Sequence, residues 1–217
     1  MNSWRAALSL ALAAFVLWRH LPGALLCVMP RLLRARSEDE SWPRVDRGMF
    51  SQMEEELAPL GFCRLGVHVE RAPLARGQLA YDFVHDAERT WATASVHGQE
   101  ARLYLLTPFE NGAFVLTADH RVAGIEKPGA CLSGGIPGAD PEHLFVTHRR
   151  RVERQKESGG VPLADLSLES RVRAANAWFH GWGAPDLRAR NLNGLLMTGV
   201  ALAIGGAVLW AMARFGW

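Results

Sequence analysis

The sequence predicts an α+β protein: an N-terminal helix followed by an antiparallel β-meander of about five strands and two further helices, bracketed by two transmembrane helices. Three observations predict it. Long uncharged apolar segments lie near both ends. Between them the apolar period changes from three or four residues to two after Gly61. The period-two runs are separated by connections too short for anything but antiparallel neighbours. With 49% hydrophobic and 21% charged residues the chain is not a disordered polymer, and a formal net charge of +2 does not single out nucleic acid.

The first apolar segment, Ala6 to Trp18, is uncharged but only about 20 Å long as a helix. Extending it gives a predicted span over residues 4–26, which takes in Arg19 and His20 and requires Arg19 to snorkel. A cleaved signal is the rival reading, although no A-x-A-like site follows Trp18. The second segment is stronger. Leu192 to Trp210 carries no charge, Arg188 and Arg190 precede it, and Arg214 and Trp217 follow. It predicts a span over residues 192–212. Gly199, Ala203, Ala207 and Ala211 recur every four residues along it, a smooth face suited to the first helix or to a second copy of the chain.

Charge orients the two spans. Arg31, Arg34, Arg36, Arg44 and Arg47 follow the first, and Arg171, Arg173, Arg188 and Arg190 precede the second, whereas the tails carry only Arg5 and Arg214. The positive-inside rule therefore puts the middle in the cytoplasm and both termini on the opposite side. Cys27, Cys63 and Cys131 are too few and too scattered for a disulfide scaffold, which suits a reducing compartment.

Residues 31–44 read as a basic then acidic juxtamembrane segment: a helix from Arg31 to Arg36 and a polar linker from Ser37 to Trp42. The cytoplasmic domain is expected over residues 45–182. Val45, Met49, Met53, Leu57 and Leu60 mark an amphipathic helix that Gly61 stops. Five strand runs follow, around Leu65–Val69, Leu79–Phe83, Trp91–Ser95, Ala101–Thr107 and Ala113–Ala118, with turns at Asp86–Glu88, Gly98-Gln99 and Asn111-Gly112. Residues 124–138, rich in Gly and Pro, read as a loop. Asp140-Pro141-Glu142 opens a helix to about Lys156, because aspartate caps, proline fits the first turn and the acid faces the positive helix end. A last helix near Ser167 shows Leu168, Val172, Ala175, Phe179 and Trp182 on one face.

Chemistry-bearing patterns are sparse, and no catalytic residue, metal site or cofactor is assigned. His143 and His148 are spaced by five, not the four that aligns two ligands on a helix, and the histidines read as surface or capping residues. There is no G-x-S-x-G elbow. Cys63 and His68, five apart on one strand, are expected on opposite faces. The Ser133–Gly138 loop lacks the Lys-Ser/Thr of a phosphate loop, and Asp140 and Glu142 would repel an anion. The most distinctive polar feature is the basic run Arg149, Arg150, Arg151, Arg154 and Lys156, which faces solvent, anionic lipid or a partner. No aromatic residues interleave with it to stack bases, so nucleic acid is not expected.

The functional reading is a two-pass integral membrane protein presenting a cytoplasmic α+β domain that binds a protein partner or a small apolar ligand near the bilayer. Its expected partners are the lipid bilayer itself and a membrane protein or second copy met through the second span. One alternative is a membrane-anchored enzyme in which Asp82, His85 and Asp119 meet. The other is a structural subunit of a membrane complex.

Overall fold

The computed structural model describes residues 3–41, 44–97 and 100–215. The turn expected at Gly98-Gln99, the linker end at Trp42 and the flanking Trp217 lie outside them. The chain forms two compact units. One holds the terminal helices together with the short segment Ala72–Arg76; the other is the sheet domain, Arg34–Arg71 and Gly77–Gly183.

In the helical unit, α1 runs Ser3–Val28 and α5 runs Ala184–Phe215. α5 starts before the apolar stretch because Pro185 sits in its first turn, where a missing N–H costs nothing. The helices are antiparallel. Gly23 lies against Asn191 and Gly194, and Ala13 against Gly205. The contact uses small residues: Ala6, Ala13 and Ala24 on α1, and Thr198 and Ala201 on α5, are buried. On α5 the stripe Gly194, Thr198, Ala201 and Gly205 is spaced four, three and four, which keeps one seam facing a neighbour. Gly199, Ala203 and Ala207 lie off this seam and are exposed, with Ala211 half-buried.

The sheet has eight strands where five are expected. β1 is Arg34–Glu38, β2 Cys63–Arg71, β3 Gln78–His85, β4 Thr90–His97, β5 Glu100–Pro108, β6 Phe114–Ala118, β7 Ile125–Lys127 and β8 Cys131–Gly135. Their order is β1-β2-β3-β4-β5-β6-β8-β7, antiparallel except for β6 with β8. The expected meander is β2 to β6. β1 replaces the end of the expected juxtamembrane helix and the start of its linker; as an edge strand it buries only Ala35, so it carries no apolar alternation. Its edge is blocked by Asn176. Ala35 N–H donates to Asn176 Oδ1 at 2.9 Å and Asn176 Nδ2 donates to Ala35 O at 3.0 Å, which denies both groups to an incoming strand.

β7 and β8 replace the expected Gly-rich loop. The glycines of β8 serve close approach rather than mobility: a Cβ on Gly135 would lie 1.9 Å from His120 O, and one on Gly134 would lie 2.7 Å from Arg151 Nη2. A bulge at Leu65 adds a residue to β2, so Cys63 and His68, opposite Val84 and Ala80, share a face despite their odd spacing.

Helices cover both faces. α2 (Arg47–Leu57) and α3 (Pro141–Glu157) bury Phe50, Leu57, Leu144 and Phe145 against Tyr81, Phe83 and Leu105. Asp46 and Asp140 cap these helices by accepting from Met49 N–H and His143 N–H. α4 (Leu168–His180) covers the other face, over Trp91, Leu106, Phe114 and Leu116. Its buried face is Ser170, Arg171, Ala174 and Ala175, rotated from the expected Leu168–Val172–Ala175–Phe179 stripe. The rotation puts a charged residue inside, and the sheet beneath supplies its partners.

Candidate functional site

Under α4 the strand register lines up Asp82, Thr93 and Tyr104 directly opposite one another across β3, β4 and β5. These are the inward positions of that face, and they are polar. His68 on β2 joins the row from the side, and Arg171 reaches it from α4. His68, Asp82, Thr93 and Arg171 are all 0% exposed.

Asp82 organises the cluster. One carboxylate oxygen is paired with His68 Nδ1. The other accepts from Thr93 Oγ1 at 2.7 Å and lies 3.1 Å from Arg171 Nε. Arg171 Nη2 donates to Thr93 Oγ1 at 2.8 Å and to the Tyr104 hydroxyl. His68 Nε2 lies 3.3 Å from Glu70 Oε1. Two carboxylates therefore face two cations, and the cluster is neutral overall when His68 is protonated. Burial by itself would push His68 down, but the Asp82 charge and the hydrogen bonds the imidazolium donates to Asp82 and Glu70 outweigh it and hold the imidazole up to about 9. Burial likewise opposes ionised Asp82, yet His68 and Arg171 keep its carboxyl below the usual range. Burial pushes the Tyr104 phenol up, so it stays neutral. Among the described residues Arg171 Nη1 is buried without an acceptor. A His–Asp pair with an adjacent carboxylate is proton-transfer chemistry in kind, but here it is sealed from solvent and ties α4 to the sheet.

A second network, built on threonine hydroxyls and a neutral histidine with Arg151 at its edge, lies under α3. The Thr90 and Thr107 hydroxyls are 2.7 Å apart, Thr107 Oγ1 is 2.9 Å from His148 Nε2, and Thr117 Oγ1 is 3.1 Å from His148 Nδ1. Arg151 Nη1 donates to Thr117 Oγ1 at 2.9 Å and to Gly134 O at 3.1 Å. Burial, with Arg151 nearby, pushes His148 down to about 3, so it is neutral. His68 and His148 are thus core residues, not the surface or capping groups their spacing suggests. Each meets polar side chains of the strands that satisfy it: Asp82 for His68, Thr107 and Thr117 for His148.

The basic run divides. Arg151 turns inward. Arg149 pairs with Glu88 at 2.9 Å, Arg154 with Glu126 at 3.0 Å and Lys156 with Glu153 at 2.9 Å. Arg150 lines an open groove of about 350 Å³ with Asp140, Glu142, His143, Val146 and Thr147. Asp82, His85 and Asp119 do not meet. Asp82 faces α4; His85 lies on the other face against Phe62 and Phe145; Asp119 accepts from Leu103 N–H at 2.7 Å at the end of β6. Among the described residues no three His, Cys, Asp or Glu side chains are grouped as a metal ion needs. Compared with known proteins, the chain matches no family model, no curated protein and no solved structure.

The buried cluster had a faint signal in the sequence: Asp82 stands between Tyr81 and Phe83, in the middle of a run that is otherwise largely apolar. Its partners are 14, 11 and 89 residues away (His68, Thr93 and Arg171), beyond the reach of any local pattern.

The two histidines make stability depend on pH in opposite senses. His68 keeps its proton to about 9 when folded and to 6.5 when unfolded, so its contribution is complete below 6.5 and is lost as pH rises through 9. His148 is neutral when folded and protonates below 6.5 when unfolded, so its contribution is complete above 6.5 and is lost as pH falls toward 3. Denaturant midpoints measured against pH are expected to peak near 6.5, with limbs no steeper than about 1.4 kcal/mol per pH unit for each histidine. His68→Gln is expected to flatten the alkaline limb and His148→Gln the acid limb. An alkaline limb that survives in His68→Gln contradicts the assignment.

Proposed function

We propose that the chain is a two-pass integral membrane protein that holds its α+β domain at the cytoplasmic surface and binds a protein partner there. The observation that carries this is the outward face of the helical pair. Leu8, Leu12, Phe15, Leu196, Leu202 and Ile204 are exposed, Leu12 by 60% and Leu202 by 59%. A core helix of a water-soluble domain would bury them, and an exposed apolar surface of this extent calls for a non-aqueous neighbour. Both helices are long and apolar enough to cross a bilayer. Because they are antiparallel, both ends of the sheet domain's chain join the pair at one end, where Arg31 and Arg188 are exposed. The arginine bias favours that end as cytoplasmic. In this reading Arg19, exposed one helical stretch further in, snorkels to the same interface.

A protein partner is favoured over an enclosed apolar ligand because side chains of α2, α3 and α4 fill the space above both sheet faces. The groove at Arg150, with Val146 42% exposed beside it, is the contact surface proposed for that partner. A second reading, a structural subunit of a membrane complex, is supported by the Gly199, Ala203 and Ala207 face that α1 leaves uncovered. In the test, membranes carrying the full chain are extracted with alkaline carbonate, and a reporter active only outside the cytoplasm is fused after Trp217. The chain is expected in the pellet with the reporter active. A chain released to the supernatant, or a cytoplasmic C-terminal reporter, rejects the two-span arrangement.

A further inference from the structure

Ala72–Arg76, the tip of the β2–β3 hairpin, groups with the helical pair rather than with the sheet. Register explains where it sits. Arg34 is opposite Arg71, so the strand beyond Arg71 continues alongside the residues before Arg34. Those residues are Pro30–Leu32, a 3-10 turn immediately after α1. The tip therefore lies at the end of the helical unit that carries Arg31 and, by the antiparallel pairing, Arg188.

The composition of the tip is unusual for a hairpin end. Ala72-Pro73-Leu74-Ala75 is wholly apolar, and Arg71 and Arg76 flank it. Leu74 is 75% exposed, the most exposed of the large hydrophobic side chains in the described chain. Its φ is 59°, a left-handed conformation that asparagine or glycine would adopt at less cost. A leucine held there is poorly explained by turn chemistry or by packing within the protein.

The surrounding cations differ from those of α3. Arg149, Arg154 and Lys156 each have a carboxylate partner, whereas Arg31, Arg76 and Arg188 are exposed and form no ion pair among the described residues. An apolar apex at the same end of the helical unit as exposed arginines without ion pairs among the described residues matches the boundary of a lipid leaflet, where acyl chains take the leucine and phosphates take the guanidinium groups.

We propose that the β2–β3 hairpin tip is a third membrane-contact element, in which Leu74 enters the interface of an anionic leaflet and Arg31, Arg76 and Arg188 engage lipid phosphates. The proposal rests on the spanning reading of α1 and α5 and deepens it by naming the lipid class at the domain's side of the bilayer. It also assigns the lipid-facing role to these arginines instead of the basic run on α3.

The test uses the full chain in nanodiscs with and without phosphatidylglycerol, in a Cys63→Ser background that removes the exposed thiol. Spin labels are placed at Leu74→Cys, at Leu12→Cys on the outward face of α1, and at Val161→Cys, an exposed site of the sheet domain. With anionic lipid, access of a water-soluble relaxation agent to the Leu74 label is expected to be several-fold lower than to the Val161 label. Reversing Arg31, Arg76 and Arg188 to glutamate, or omitting the anionic lipid, is expected to restore access. A Leu74 label as accessible as the Val161 label in both lipids, with the Leu12 label in hydrocarbon, overturns the hairpin contact and leaves the spanning reading standing. A Leu74 label that is shielded but indifferent to lipid charge and to the reversals overturns the phosphate recognition. A Leu12 label open to water overturns the spanning reading and this proposal with it.

Discussion

Replacing Asp82 by alanine is expected to destabilise the sheet domain by about 3–5 kcal/mol, the cost of stranding a buried charge. Asp82 is the acceptor for both cations of the α4 face. Without it, His68 can release its proton and become neutral, but Arg171 cannot, since a guanidinium stays charged at any accessible pH. Arg171 would remain 0% exposed, with neutral Thr93 and Tyr104 oxygens as hydrogen-bond partners and Glu70 as the carboxylate left in the cluster. Arg171→Met is expected to cost less, because Asp82 keeps His68 and Thr93 as donors. The double variant Asp82→Ala/Arg171→Met is expected to be more stable than the sum of the single changes predicts, since it removes the charge that the first change strands. Thermal unfolding of the full chain in detergent, followed by circular dichroism, is the measurement, with a fall in Tm of roughly 10 °C expected for Asp82→Ala. A loss below about 1 kcal/mol, or strict additivity in the double variant, shows that the cluster does not tie α4 to the sheet.

The second large effect is expected at Gly194. A Cβ there would lie 2.9 Å from the Gly23 carbonyl carbon and 3.0 Å from Ala24 N, and both of these are backbone atoms of α1. No rotamer change relieves a clash with a backbone, so Gly194→Leu must push the helices apart along the seam. Gly199→Leu is the control, because a Cβ at Gly199 meets nothing within 4 Å. The readout is a crosslink. Ala13 Cβ and the Cβ position of Gly205 are 3.8 Å apart, within the range of about 3.5–4.5 Å that a disulfide spans. Ala13→Cys/Gly205→Cys is expected to crosslink within one chain, Gly194→Leu to suppress that crosslink, and Gly199→Leu to leave it intact. If the structural-subunit reading holds, Gly199→Leu together with Ala203→Leu reduces the size of the assembly while sparing the crosslink. A crosslink unaffected by Gly194→Leu removes the seam.

The two small-residue stripes of α5 show how far a one-dimensional pattern reaches. Gly199, Ala203, Ala207 and Ala211 make the more regular run, yet α1 packs on Gly194, Thr198, Ala201 and Gly205. Spacing identifies candidate faces; which one is used depends on the partner helix, where Gly23 permits backbone contact at the level of Gly194. The basic run behaves similarly. Its residues are contiguous, but helical rotation sends Arg151 to the sheet and Arg149 to Glu88, and leaves Arg150 at the groove.

What the sequence by itself determined are the features held by local physics: the α+β class, the β2–β6 meander, the amphipathic α2, the capped start of α3, and the long apolar terminal helices. Apolar periodicity, a capping aspartate and short turns act within a few residues, so each can be read without knowing the rest of the chain. Tertiary structure decided the features that need a distant neighbour. β1 and β8 are strands because β2 and β6 offer them hydrogen bonds, not because Arg34–Glu38 or Cys131–Gly135 favour extended backbone. The bulge at Leu65 reverses which face Cys63 shares. His68, Glu70, Asp82, Thr93 and Arg171 become one electroneutral cluster only when register and the docking of α4 superimpose them, because burying any one of these charges is unfavourable until the opposite charge is placed beside it.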